Sequence, residues 1–200
     1  MAHISLSNSK LGSIPSINLP PIVTCRPDAP CKSTCYACNG RFRFKNVKQT
    51  LVQNLEEWKS DPGKYMQSVI DACTNVRFFR WHSAGDIPDE FYLSMMYLVA
   101  KMQPEVHFLC FTKKHEMVNL YVSKYGKPKN LNIIFSAWGD FVPENPHNFP
   151  MAYVLLESGE GEDRIPARAV PCSGSCNECI KDEMNCWKLK PGMCVVFKQH

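Results

Sequence analysis

The sequence contains no long apolar run, no internal repeat and no low-complexity tract. Without 18 consecutive apolar residues, a helical membrane span is excluded. The opening stretch MAHISLSNSKLGSIPS is too polar for the apolar core of a secretory signal, so we expect a cytoplasmic protein in a reducing compartment. Neither sign of charge is in large excess, because 23 Lys and Arg against 19 Asp and Glu give a formal net charge of +4. That excess permits an acidic partner without indicating nucleic-acid binding.

Cysteine is the residue type in excess. Eleven cysteines occur in 200 residues, and seven of them form two clusters towards opposite ends of the chain. In a protein without an export signal, clustered cysteines are more typical of metal ligands than of disulfides, and an odd total disfavours complete pairing. The length also suffices to bury a core without covalent cross-links. We therefore interpret the clusters as metal sites.

Strands and helices alternate through the middle of the chain. Apolar and β-branched stretches predict strands, and apolar residues at helical spacing predict the helices between them. The predicted strands are a short one in SINLPP (16–21), then 76–82, 106–112, 131–138, 152–157 and the GMCVVF stretch 192–197. Such alternation indicates an α/β protein with right-handed βα units and a mostly parallel sheet.

The first two helices have clear local signals. The second begins with Asp61 as its N-cap and Pro62 in the first helical position. The first is predicted from apolar residues at helical spacing, namely Val47, Leu51, Leu55 and Trp58.

The next two helices follow the strands at 76–82 and 106–112. One occupies 87–102, and the other runs from 113 to 125 and ends at Gly126. The 87–102 helix is expected to present one shared apolar face, made of Phe91, Met95, Leu98 and Met102.

These elements predict one domain over residues 1–200. Residues 1–24 form an N-terminal segment, 25–170 a cysteine loop and βα units, and 171–200 a cysteine-rich C-terminal segment. In parallel sheets the ligand site lies beyond the carboxyl ends of the strands. Three predicted strands end in polar stretches, which are HSAGD (82–86), TKKH (112–115) and SAWGD (136–140). We expect these three stretches to meet at one crevice.

The first cysteine cluster is CKSTCYAC, residues 31–38. It places Cys31, Cys35 and Cys38 in a C-x3-C-x2-C array with Tyr36 in the second gap. Three thiols leave one position of a four-ligand site open, and the ligand pattern and the softness of the thiolates favour an iron–sulfur cluster over zinc. The alternative is a closed zinc site with Cys25 as the fourth ligand.

The second cluster provides four thiols on one short loop. Cys172, Cys176, Cys179 and Cys186 follow a C-x3-C-x2-C-x6-C pattern. Such a set can hold a fully ligated 4Fe–4S cluster or a structural zinc ion. We assign Cys194 to a buried strand and His200 to the tail of the chain.

The first array, with its aromatic residue and its position between a first strand and a first helix, resembles the cluster loop of radical S-adenosylmethionine enzymes. That resemblance implies a partial parallel (β/α) barrel with a cysteine-rich C-terminal extension. It implies a 4Fe–4S cluster whose open iron binds S-adenosylmethionine, a 5′-deoxyadenosyl radical as the reactive species, and an electron donor such as a flavodoxin or ferredoxin. Ala84-Gly85-Asp86 stands where that family has Gly-Gly-Glu. The residues implied to line the cofactor pocket are Tyr36, Gly85, Asp86 and Ser136.

The chain as a whole resembles a phage family known as gene product 88. The resemblance is carried by LSNSKLGSIPSINLP, CKSTCYAC, FRWHSAGDIPDEFY, FTKK and the closing cysteines. It implies an architecture and a host-cytoplasmic location, but no substrate.

Two alternatives remain open at this point. One is a non-catalytic metal protein that carries iron–sulfur clusters as sensors or zinc as a structural ion. The other is nucleic-acid binding through RFRFK (41–45), where basic and aromatic residues alternate.

Overall fold

The computed structural model describes residues 1–181 and 185–199, so His200 lies outside the described residues. The strands within this part of the chain form one sheet in the order β1-β2-β3-β4-β5-β6-β8-β7. Their bounds are β1 Ile4–Ser5, β2 Ser16–Ile17, β3 Phe78–Trp81, β4 His107–Thr112, β5 Leu131–Ser136, β6 Met151–Leu155, β7 Val170–Pro171 and β8 Cys194–Lys198. The short strands β1 and β7 were not predicted from the sequence.

All neighbouring strands pair in parallel except β1 and β2, which are antiparallel. The predicted α/β class with a mostly parallel sheet is therefore confirmed. Over the described residues the sheet ends at β1 on one side and at β7 on the other. The radical-SAM type of barrel stays a prediction, and so does the division into segments.

In the described residues, four α-helices of two or more turns accompany the sheet, together with one single-turn α-helix. Their bounds are α1 Lys45–Ser60, α2 Pro62–Ala72, α3 Glu90–Met102, α4 His115–Tyr125 and α5 Cys176–Cys179. No helix in the described residues is both long enough and apolar enough to cross a membrane.

The predicted helix signals act as expected. The carboxylate of Asp61 accepts a 2.9 Å hydrogen bond from the Lys64 amide, and Pro62 occupies the first position of α2. At the other end of a helix, Gly126 follows α4 with a φ of +67°. These interactions compensate the backbone groups that every helix end leaves unpaired.

The predicted packing face of α3 is wrong. Phe91, Leu98 and Met102 are each about half exposed, whereas the neighbouring Leu93 and Met96 are fully buried. Apolar residues surround most of this helix, so two different stripes satisfy the helical spacing. Contacts with the sheet and with the other helices determine which stripe is buried. The spacing of apolar residues alone does not determine it.

The two faces of the sheet have different coverings. Phe79 and Trp81 of β3 pack with residues from the four longer helices in the main core. The side chain between them in sequence, Arg80, points to the opposite face, because successive residues of a strand alternate. On that second face a smaller core joins strand residues to the N-terminal and C-terminal segments, through Leu11, Ile14, Trp187 and Leu189.

Candidate functional site

A cavity of about 820 Å³ lies against the second face of the sheet and extends to the carboxyl ends of its strands. The three predicted strand ends contribute to one wall, through Gly85 and Asp86 after β3, Thr112 at the end of β4, and Ser136 at the end of β5. The prediction that these stretches share one crevice is therefore confirmed for these residues. Asp140 is instead exposed and 3.6 Å from the guanidinium of Arg164.

The turn after β3 is held by the segment that follows β2. The side-chain oxygen of Asn18 accepts hydrogen bonds from the amides of Ser83 at 2.6 Å and Ala84 at 3.1 Å. The hydroxyl of Thr24 accepts one from the Asp86 amide at 3.0 Å. These bonds satisfy three backbone donors in the turn, so its conformation is defined by side chains distant in sequence.

Gly85 occupies the tightest point of this turn. Its φ is +80°, a conformation that L side chains rarely adopt. A Cβ atom there would lie 2.6 Å from the Leu19 carbonyl oxygen and 2.7 Å from the Thr24 hydroxyl. Glycine is therefore required at this position by the protein's own packing.

Asp86 is buried, and its carboxylate binds protein donors. Its Oδ1 accepts hydrogen bonds from the Thr112 hydroxyl at 2.6 Å and the Ile87 amide at 2.8 Å, and Oδ2 accepts one from the Lys113 amide at 3.0 Å. Burial raises the pKa of Asp86, and these donors oppose that shift. Since a carboxylate has about four acceptor positions, one remains for a ligand.

The first cysteine loop folds back onto this turn. A single 3-10 turn spans Tyr36–Cys38, and the Tyr36 hydroxyl donates to the Ser83 carbonyl. Ala37, within this loop, is buried and packs in one small cluster with Leu51 of α1. The loop is thus attached both to the strand end and to the first helix.

Three thiols of this region line the cavity: Cys25, Cys31 and Cys35. Cys38 lies next to Cys35, whose pKa is raised by burial and further by the neighbouring thiol. Burial raises the pKa of Cys25 to about 11, and the nearby Asp86 adds to that shift. Cys25 therefore belongs spatially to the first cluster, as the zinc alternative requires.

All four thiols of the second cluster line the same cavity. Burial raises the pKa of Cys186 to about 12, and Arg80 partly opposes the shift. Burial also raises the pKa of Cys176, against the effect of Arg80 and Lys10. The two cysteine clusters, separated by more than 130 residues in the sequence, thus face one enclosed space.

Hydrogen bonds tie the second cluster to the sheet. Asn132 of β5 donates to the carbonyls of Cys186 at 2.7 Å and Leu189 at 3.2 Å. The indole of Trp187 donates to the Phe79 carbonyl at 3.1 Å. The C-terminal cysteine loop is consequently positioned by buried side chains at its C-terminal end.

The thiols are gathered but do not converge on one point. Within residues 1–181 and 185–199, no three His, Cys, Asp or Glu side chains are arranged to hold a metal ion. The donor types nevertheless suit a soft metal or an iron–sulfur cluster, because each cluster supplies at least three cysteines. Thiol sites of this kind commonly close only when the metal binds.

A family model described as Gene product 88 matches residues 3–186. The chain belongs to the gene product 88 family. Comparison of this gene product 88 chain with curated proteins found no match, and neither did comparison with solved structures. The predicted family is therefore confirmed, while the likeness to radical S-adenosylmethionine enzymes stays a prediction.

Sequence reasoning missed three polar residues that organise the site, namely Asn18, Arg80 and Asn132. Two of them interrupt otherwise apolar strands, in VRFFRWH and LNIIFSAW. A polar side chain inside a strand that is buried on both faces needs a polar partner there, which was a usable signal. Asn18 had no such signal, because it lies in a mixed N-terminal segment.

Proposed function

We propose that this gene product 88 chain is an iron–sulfur protein of the radical S-adenosylmethionine type. The observation that carries the proposal is the placement of both cysteine clusters on the cavity where the parallel strands end. Six of the seven cluster thiols line this cavity together with Cys25, while Cys38 lies next to Cys35. A protein that used its cysteines only to reinforce the fold would have no reason to direct thiols from two distant segments towards one space.

The first cluster is proposed to hold a 4Fe–4S cluster through Cys31, Cys35 and Cys38. When bound, such a cluster supplies an electron to S-adenosylmethionine held at its fourth iron. The chain's own residues would position that cofactor. Gly85 forms part of the cavity wall, and the remaining acceptor position of Asp86 suits an ammonium group.

Tyr36 and Ser136 complete this proposed pocket from two sides. Tyr36 fixes the cysteine loop to the carbonyl of Ser83, so its role would be to hold the loop against the strand end. Ser136 ends β5 on the cavity wall and offers a hydroxyl to a polar group of the cofactor.

The second cluster is proposed to hold an auxiliary 4Fe–4S cluster through Cys172, Cys176, Cys179 and Cys186. Its thiols share the cavity with those of the first cluster, which supports a role in electron relay or in anchoring a substrate. Zinc at this second site is the alternative that the same four thiols allow.

Metal analysis tests the proposal directly. The full chain is purified without oxygen, its iron, sulfide and zinc contents are measured, and it is reduced with dithionite in the presence of S-adenosylmethionine. We expect about eight irons per chain and release of 5′-deoxyadenosine. Stoichiometric zinc without iron would overturn the proposal, and iron without cofactor cleavage would reduce it to cluster binding.

A variant of Cys25 separates the open three-thiol site from a closed four-thiol site. We expect Cys25→Ser to retain the metal of the first cluster and Cys31→Ser to lose it. Cys73→Ala is the matched control, because Cys73 is a buried core thiol on the helical side of the sheet. Loss of metal in Cys25→Ser to the same extent as in Cys31→Ser would favour a closed zinc or iron site instead.

A further inference from the structure

We infer that the cavity binds a small polyanionic molecule, carrying phosphate or carboxylate groups, through Arg80, Lys10 and Lys113. The inference deepens the proposed function, on which it rests for the chemistry that the bound molecule would undergo. Binding itself requires only the cavity, so it can be measured apart from turnover.

The charged residues that line the cavity are almost all of one sign within residues 1–181 and 185–199. Among these described residues one acidic residue, Asp86, lines it, and that carboxylate already accepts three protein hydrogen bonds. The basic residues that line it are Lys10, Arg41, Arg80, Lys113 and Lys198. A net charge of only +4 over the whole chain makes this concentration of cations a local feature.

Three of these cations are held over aromatic rings that also line the cavity. The pairs are Lys10 over Phe197 at 4.8 Å, Arg80 over Phe111 at 4.2 Å and Lys113 over Trp138 at 5.6 Å. A cation over a ring face is attracted by the electrons of the ring but keeps its charge. The rings therefore orient the cations without neutralising them.

None of the three cations forms an ion pair with a carboxylate within the described residues. The basic side chains that do pair lie elsewhere, as Arg26 does with Asp28 at 2.6 Å. Cations grouped in a partly enclosed space repel one another, and an anion among them relieves that repulsion. In the part of the chain that the structure describes, the Asp86 carboxylate is the one acidic group on the cavity wall.

Arg80 is the central residue of this group. It lines the cavity together with Cys176 and Cys186 of the second cluster and Tyr36 of the first loop. Its guanidinium donates to the carbonyls of Trp81 at 3.1 Å and His82 at 3.4 Å. Since a guanidinium has five N–H donors, others remain for a ligand.

The size and chemistry of the cavity define the ligand class. Its volume of about 820 Å³ is near the upper end of the usual range for small-molecule sites. Guanidinium groups match phosphate and carboxylate oxygens in geometry, and lysine ammonium groups add charge. A small molecule with several such oxygens satisfies all three cations, whereas a neutral or cationic molecule satisfies none.

Calorimetric titration of the full, anaerobically purified chain tests the inference, with iron content measured on the same sample. Pyrophosphate and citrate serve as probes of the two anion classes. We expect one of them to bind saturably with a dissociation constant below about 1 mM and to weaken as salt is raised. Tighter binding of pyrophosphate identifies a phosphate ligand, and tighter binding of citrate identifies a carboxylate ligand.

Variants assign the binding to these residues. Arg80→Gln and Lys113→Gln are each expected to weaken binding about tenfold, with Arg80→Lys intermediate. Lys101→Gln is the matched control, because Lys101 is exposed on α3, away from the cavity. Thermal melting shows whether each variant is folded.

Three results would overturn the inference: no saturable binding of either probe, equal binding by Arg80→Gln and Lys101→Gln, or binding by metal-free but not by iron-loaded protein. In the last case the cations serve as counter-charges to the clusters. Absence of iron alone would count against the proposed function and leave the anion measurement valid.

Discussion

The hydroxyl of Thr112, at the end of β4, donates a 2.6 Å hydrogen bond to the buried carboxylate of Asp86 in the turn after β3. The same hydroxyl accepts a 3.0 Å bond from the Lys114 amide. One side chain thus connects two strand ends and the start of α4. Asp86, expected from the sequence to serve a cofactor, is also the residue that joins the polar ends of the sheet.

Thr112→Val is expected to lower the free energy of unfolding by about 1–3 kcal/mol, because the buried carboxylate and the Lys114 amide each lose a partner. Urea unfolding measures the change. Thr112→Ser keeps the hydroxyl and is the control, with a loss of at most about 1 kcal/mol. A loss in Thr112→Ser without a loss in Thr112→Val would show that the methyl group, not the hydrogen bond, stabilises this junction.

Gly85→Ala is expected to destabilise the protein by more than about 2 kcal/mol. Its new Cβ would clash with the Leu19 carbonyl as well as force an L residue into left-handed backbone space. Gly174→Ala is the matched control, because Gly174 has a φ of +84° and open space around it. Gly174→Ala therefore measures only the free-energy cost of placing an L residue in the left-handed conformation, about 1–2 kcal/mol. Similar melting temperatures for both variants would contradict the close packing at Gly85.

The local signals in the sequence explain what could be predicted. Asp61 and Gly126 act within one helical turn of themselves, so their effects are independent of the rest of the fold. The meeting of the strand ends at one cavity could be predicted, because the direction of parallel strands follows from the βα connections. Recognition of the family likewise rested on contiguous stretches such as CKSTCYAC.

What could not be predicted depends on contacts between distant segments. The buried face of α3 is chosen by its neighbours, since its own spacing allows two faces. Arg80 faces the second cysteine cluster only because the fold brings the C-terminal loop and the strand ends together. No spacing within the sequence encodes those distances.

Asn132→Leu is expected to release the metal of the second cluster. The substitution leaves the buried carbonyls of Cys186 and Leu189 without their shared donor, which loosens the cysteine loop and costs about 1–3 kcal/mol. If that cluster contains four irons, the iron content falls from about eight to about four per chain. Iron analysis and urea unfolding are measured on the same preparation.

Asn130→Leu is the control for Asn132→Leu. Asn130 donates to three carbonyls of the connection from α3 to β4, those of Ala100, Gln103 and Val106, each at 2.9 Å. Its replacement should lower stability to a similar degree and leave the iron content unchanged. Equal iron contents in the two variants would show that Asn132 has no special connection with the second cluster.

His115 makes stability depend on pH. Burial lowers its pKa to about 4, while its Nε2 lies 3.0 Å from the Thr112 carbonyl and its ring packs against Phe135 and Phe141. Arg26 and Lys113 lower the pKa further, and Glu116 raises it. The unfolded chain binds a proton at about pH 6.5 and the native chain does not, so stability falls as the pH drops from about 6.5 to about 4.

The loss from His115 over that window is on the order of 3 kcal/mol, at about 1.4 kcal/mol per pKa unit. His82, whose pKa burial lowers to about 3, adds a loss of the same sign. His115→Phe should therefore reduce the difference in unfolding free energy between pH 7 and pH 5 without abolishing it. His147→Asn, at an exposed histidine, should leave that difference unchanged. Urea unfolding at the two pH values decides, because an unaltered difference in His115→Phe would mean that His115 has the same pKa in the native and unfolded chains.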